Sequence, residues 1–261
     1  MLIWLQALLG HSDARSKNIP ESLWLHTLAL FPFLAERTPA EQTHLRGMVG
    51  QFLQQKEFTG AHGLVVSDEM AVAIAAQACL PVLHLGLQLY DDFKGIVVHP
   101  GAMLARREVT DDAGVVHRFS EVLAGEAMEK GPVTLSWQDV VASGALAYQG
   151  FNVVIHEFAH KIDMRDGLAD GCPPQPSRAT RAAWHAVMQP AYDNFCEQVV
   201  LAQRFGAPPP WLDTYGAESP AEFFAVTCEA YFVNRQRFTR DFAVLTPLFD
   251  QFFRQNQVKT Q

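Results

Sequence analysis

Apolar positions along the chain recur with two different spacings, and the spacing changes where the chemistry changes. Thr38-Pro-Ala-Glu41 supplies an N-cap, a proline for the first helical position and a capping-box glutamate. Leu45, Met48, Val49, Phe52 and Leu53 follow at helical intervals, which predicts one helix over about Pro39–Lys56 with a single apolar stripe. Gly63–Val66 reads as a short strand. Ala71–Tyr90 carries no charge over a length that would span a bilayer, yet Gln77, Pro81, His84, Gly86 and Gln88 interrupt it and no Lys or Arg flanks it. It predicts a buried helix, opened by Ser67-Asp68 and broken at Pro81. Gly95–His99 and Gly131–Trp137 predict two further strands, whereas residues 105–130 are too mixed to place. From Asn152 to Phe253 the spacing is mostly helical, interrupted at 173–176 and 208–210 by proline-rich loops. Short strands followed by a run of helices predict an α+β fold, predominantly helical, with a small mixed sheet.

Composition narrows the class. The 261 residues suit one large domain or two lobes, and 49% hydrophobic with 18% charged residues is ample for a globular core. Twenty Lys and Arg against 28 Asp and Glu give a net charge of −8 with no basic block, which argues against nucleic acid as a direct ligand. Cys79, Cys172, Cys196 and Cys228 form no C-x-x-C pair, so neither a zinc ribbon nor a disulfide scaffold is expected, and the cytoplasm is the expected compartment. The apolar opening Met1–Leu9 precedes the first basic residue, Arg15, the reverse of the order in a secretory signal.

The chemistry concentrates in His156-Glu157-Phe-Ala-His160. Two histidines four apart on a helix lie about 6 Å apart along its axis and near one face, so both imidazoles reach one ion. Glu157 can lean over the ion's open position as a general base. Phe151, Val153, Val154, Ile155, Phe158, Ala159 and Ile162 make the helix apolar nearly all round, hence buried, and buried imidazoles need a partner such as zinc. Asp163 lies about 10 Å along the axis from His156, which suits a supporting or helix-end group better than a ligand. Glu222 is the better third ligand, with an opposing account: Ser219-Pro-Ala-Glu222 repeats the form of Thr38-Pro-Ala-Glu41, and closing a capping box would also account for Glu222. Glu222 and Glu229 share one face of a largely apolar helix, and inward carboxylates need a metal, a histidine or an arginine.

These residues carry a resemblance to the Mlc titration factor A family, bacterial zinc metallopeptidases related in their active-site helix pattern to anthrax lethal factor. The matching segments run from about Glu21 to Phe253. They are Phe52-Leu-Gln-Gln-Lys56, Cys79-Leu-Pro-Val-Leu83, Leu85-Gly-Leu87, Gly131-Pro-x-x-Leu-x-Trp137, His156-Glu-x-Ala-His-Lys-x-Asp163, Tyr215, Ser219-Pro-Ala-Glu222 and Phe224-Ala-Val226. The resemblance implies a single zincin-like catalytic domain over 21–261, with lobes dividing near residue 130 and a separate extension over 1–20. It implies one zinc ion on His156, His160 and Glu222, Glu157 as base and Tyr215 as hydrogen-bond donor to the oxyanion. Asp111–His117 fits the family's histidine after an acidic loop; alone, His117 reads as a surface or strand-end residue. As a fourth ligand it would close the site, with Glu108–Gly114 as a mobile loop that opens it.

Two functions follow as expectations. One is an aminopeptidase-like zinc peptidase acting on short peptides, with Gly131–Trp137 as the edge strand along which substrate pairs. The other, implied by the family, is binding of an Mlc-like transcriptional repressor, by a catalytic protein or by a non-catalytic one stabilised by zinc. No membrane partner is expected.

Overall fold

Capping residues fix where the helices begin, and one small sheet fixes how they face one another. The computed structural model describes residues 19–110, 116–123, 125–128 and 130–254, with residues 103–110 and 116–123 described by their backbone. Helices α1 (Glu21–Leu30) and α2 (Pro32–Ala35) precede α3 (Pro39–Gln55), which starts at the foreseen Thr38–Glu41 capping box and buries Leu45, Met48, Val49, Phe52 and Leu53. Ser67 caps α4 (Asp68–Cys79), of which every residue from Met70 to Cys79 is buried. The helix stops ahead of Pro81, and the chain then turns into a short 3₁₀ segment at Leu87–Tyr90. That burial within the protein accounts for the uncharged run; among the described residues no helix is long and apolar enough to cross a membrane.

Strands β1 (Glu57–Gly60), β2 (Gly95–His99), β5 (Gly125–Ala127) and β6 (Val133–Ser136) form a mixed sheet in the order β1-β2-β6-β5. β1–β2 and β2–β6 are parallel, and β5 runs antiparallel to β6. Strands β3 (Met103–Thr110) and β4 (Val116–Leu123) form a separate antiparallel pair, in register from Met103 opposite Leu123 to Thr110 opposite Val116. The rest is helical: α5 (Trp137–Leu146), α6 (Val153–Asp163), α7 (Arg178–Phe205), α8 (Pro220–Val233), α9 (Arg235–Asp241) and α10 (Thr246–Phe253). The fold is α+β and mostly helical, as the patterns indicate.

Four expectations need correction. Gly63–Val66 is not a strand: the parallel ladder ends at Gly60, Ala61 N donates to Val98 O at 2.8 Å and Leu64 N to Ala61 O at 3.0 Å. A turn therefore consumes the apolar run and leaves Val65 79% exposed. Residues 105–130, unplaced above, carry the β3–β4 pair, because backbone ladders hold strands whose side-chain alternation is obscured by charge. Glu108–Thr110 accordingly belongs to a strand rather than a loop, while 111–114 lie outside the described residues. Gly131–Trp137 contributes only Val133–Ser136 to the sheet, since Ser136 caps α5 and hands Trp137 to that helix. It is also interior, between β2 and β5; the edge strands are β1 and β5.

Aromatic packing seats the central helix. Phe158 of α6 meets Phe52, Tyr90 and Phe93 with ring centroids 5.8, 5.0 and 5.9 Å apart. α8, buried at almost every position from Ala221 to Val233, packs along another side of α6.

Candidate metal centre

Asn152 starts the key helix. Its side chain accepts from Ile155 N at 2.9 Å and donates to Gln77 of α4 at 2.7 Å, and Val153 N donates to Ser143 of α5 at 3.2 Å. Three donors at this buried helix end, Asn152 Nδ2, Val153 N and Ile155 N, thus have fixed acceptors, and α6 cannot rotate without breaking them. His156 and His160, one turn apart, both face α8, where Glu222 comes in from the third helical position. His156 Nε2 lies 3.0 Å from Glu222 Oε2, His160 Nε2 3.3 Å from the same oxygen, and the two imidazole nitrogens 3.2 Å from each other. The edge of a tetrahedron of donors about 2.0–2.1 Å from a central ion is about 3.3 Å, so the three atoms have the spacing of a coordination shell. Among the described residues this is the one group of three or more His, Cys, Asp and Glu side chains so arranged.

Protonation supports the fit. Glu229 Oε1 lies 2.8 Å from His156 Nδ1 and its other oxygen accepts from Asn152 N, so the His156 ring proton belongs on Nδ1 and the Nε2 lone pair faces the Glu222 carboxylate. Two acceptors at that distance repel unless a proton or a cation lies between them. Burial alone lowers His156 and raises Glu222, but their hydrogen bonds reverse both, holding His156 well above the usual imidazole range and Glu222 well below the carboxylate range. A metal ion serves the same lone pairs without that proton.

Glu157 points to another side of α6, 5% exposed, and burial pushes its carboxyl up to about 7 against the opposing pull of the two imidazoles. It lies against Gly125, the first residue of β5, where a Cβ would sit 2.5 Å from Glu157 Oε1. Only glycine allows strand and carboxylate to approach so closely. β5, both histidines, Glu157, Glu222 and Tyr215 line a common cleft of about 610 Å³. Tyr215 comes from a 3₁₀ turn, Thr214–Ala217, capped by Asp213, and its ring centroid is 6.2 Å from that of His156.

The remaining expected residues separate. Glu229 supports His156 directly, as described. Asp163 closes α6 at zero exposure and accepts from Gly171 N at 2.9 Å; burial pushes it up to about 7. Gly171, at φ +74°, lies so close to α8 that a Cβ would meet Pro220 O at 2.3 Å. Asp163 therefore braces the loop on which the start of α8 rests, two residues ahead of Glu222. His117 occupies the second position of β4, opposite Val109; its side chain lies outside what is described. Asn152 and Gln77 escaped the sequence reading. Their signal was present, a polar side chain inside an otherwise apolar run, but nothing in the chain says that two such residues 75 positions apart meet.

The sequence pattern of the glucose-regulated metallo-peptidase M90 family matches residues 7–254, starting inside the stretch expected to be a separate extension. Mlc titration factor A of Serratia proteamaculans (strain 568) is 38% identical over 234 residues, covering 89% of this chain and 87% of that protein. The protein of the same name from Salmonella arizonae is 36% identical over 235 residues, covering 90% and 91%. That from Yersinia pestis (strain Pestoides F) is 35% identical over 232 residues, covering 88% and 84%.

Proposed function

Because the chain belongs to the glucose-regulated metallo-peptidase M90 family, we propose that it is a zinc-dependent peptidase of aminopeptidase-like action, with His156, His160 and Glu222 as ligands. The observation that carries this is the trio of donor atoms 3.0–3.3 Å apart beside a buried glutamate and a strand edge, all on one cleft. A bound zinc ion would supply Lewis acidity toward the scissile carbonyl and the attacking water. Glu157 takes the proton of that water and returns it to the leaving amine. Its raised pKa suits a group that must both accept and donate near neutral pH. Tyr215 donates a hydrogen bond to the oxyanion as the carbonyl becomes tetrahedral. Glu229 holds the His156 ring with its Nε2 lone pair toward Glu222, the orientation in which it would serve a bound ion. β5, whose outer edge pairs with no described strand, offers main-chain groups to an extended peptide.

A second activity, binding of an Mlc-like protein, rests on the relatives' shared name alone. The test of both is Glu157→Gln, which removes a base and keeps every proposed ligand. Peptide hydrolysis should fall about 10²–10⁴-fold. Zinc content by elemental analysis should stay at one ion per chain. Unchanged turnover in a metal-loaded, contaminant-free preparation overturns the peptidase function. Retained binding of an Mlc-like repressor by the same variant would separate binding from catalysis.

A further inference from the structure

Lys161 directly follows the second histidine of α6 and is 1% exposed. Its ammonium donates to the carbonyls of Met128 and of Gly131, the latter at 2.9 Å, and lies 4.4 Å from the centroid of the Phe93 ring. Both carbonyls belong to the turn between β5 and β6, a turn closed by Gly131 N donating to Met128 O at 3.1 Å. On the helix, Lys161 stands four residues after Glu157 and so on the same face, one turn further on. Glu157 touches β5 at Gly125, and Lys161 grips the chain three residues later, at Met128. α6 and β5 thus run side by side with two attachments, one at the catalytic carboxylate and one at the turn.

Stability is a poor reason for this charge. A buried ammonium is costly even when hydrogen-bonded, and an apolar side chain of similar length commonly replaces such a group without loss. What an apolar side chain cannot do is hold two carbonyls of a turn at fixed distance and direction. Phe93 presents its ring to the ammonium and is itself packed on Phe158 of α6.

We infer that Lys161 is a positioning residue that clamps the β5–β6 turn onto the metal-site helix and so fixes the peptide-binding strand edge relative to Glu157, an inference that rests on the peptidase function proposed above. The ligands are anchored elsewhere, through Asn152, Glu229 and α8, so loosening the clamp displaces the strand and spares the metal. Strand pairing holds a peptide alike in its ground and transition states, so its loss raises KM more than it lowers kcat.

The experiment compares the metal-loaded wild type with Lys161→Met and Lys161→Arg, measuring metal content, kcat and KM on a short peptide, and amide hydrogen exchange. Lys161→Met should keep its metal, raise KM about ten-fold or more, and exchange faster at residues 125–128 than the wild type while α6 stays protected. Lys161→Arg, which keeps the charge, should recover part of the KM change. Wild-type KM and exchange in Lys161→Met overturn the clamp, and so does loss of metal in step with activity, which would place Lys161 in support of the ligands. If Lys161→Met does not fold, Lys161→Gln, too short to reach the turn, is read in the same way. If the wild type hydrolyses no peptide, the peptidase function fails by itself, and the exchange comparison still decides the clamp.

Discussion

Thr38-Pro-Ala-Glu41 and Ser219-Pro-Ala-Glu222 are one capping pattern put to two uses. At the start of α3 the box is closed: Glu41 N donates to Thr38 Oγ1 at 3.3 Å and the Glu41 carboxylate accepts from Thr38 N at 2.9 Å. At the start of α8 only half of it forms. Glu222 N donates to Ser219 Oγ at 3.2 Å, but the carboxylate turns to the two imidazoles of α6. Local sequence sets where both helices begin; what packs against the first turn decides what the third-position glutamate does. Glu41 meets one histidine, with His84 Nε2 at 3.3 Å, on a helix whose start is open to water. Glu222 meets two half-buried imidazole nitrogens at once, at 3.0 and 3.3 Å.

The strongest way to break this comparison is Glu222→Gln. Glutamine still fits a capping box, so the helix should start normally, while metal affinity should fall by well over about 100-fold, more than is usual for a supporting residue. Affinity equal to wild type, measured by competition with a chelator, would return Glu222 to the role of Glu41. Next in size is Glu229→Gln, which leaves the ligands intact but weakens the acceptor that orients His156. Metal affinity should drop about 10–100-fold. A drop as deep as that of Glu222→Gln would mean that Glu229 itself reaches the ion. The smallest effects belong to the caps: Thr38→Ala and Ser219→Ala should each cost about 1 kcal/mol in denaturant unfolding of the metal-free protein. Glu41→Gln should stay within about 0.5 kcal/mol and leave metal binding untouched. A smaller cost for Ser219→Ala than for Thr38→Ala would show that the half-formed box at α8 is the weaker one.

Much of the fold could be read along the chain. The α3 stripe, the Ser67 cap, β2 and the halt before Pro81 rest on contacts within a few residues, where spacing and capping chemistry act directly. The sheet was read less well. Gly63–Val66 has the composition of a strand but no partner to pair with, and Val133–Ser136 has a strand's composition without any sign of lying inside the sheet rather than at its edge. Pairing is a property of two segments, and neither carries it alone.

The same division runs through the site. His156, Glu157 and His160 were fixed by the sequence itself, because helical periodicity alone puts both imidazoles on one side and the glutamate beside them. The sequence also placed Glu222 and Glu229 on a common face of a second apolar helix. Only the tertiary structure decided that this face meets α6, that Glu222 leaves its capping box for the histidines, and that Glu229 accepts a hydrogen bond from His156 Nδ1. It also decided that three neighbours given no role at the site by the sequence, Gly125, Asn152 and Gln77, do the positioning. The reason is burial: a polar side chain withdrawn from water must find its partner among whatever atoms packing brings near, and those atoms come from distant parts of the chain.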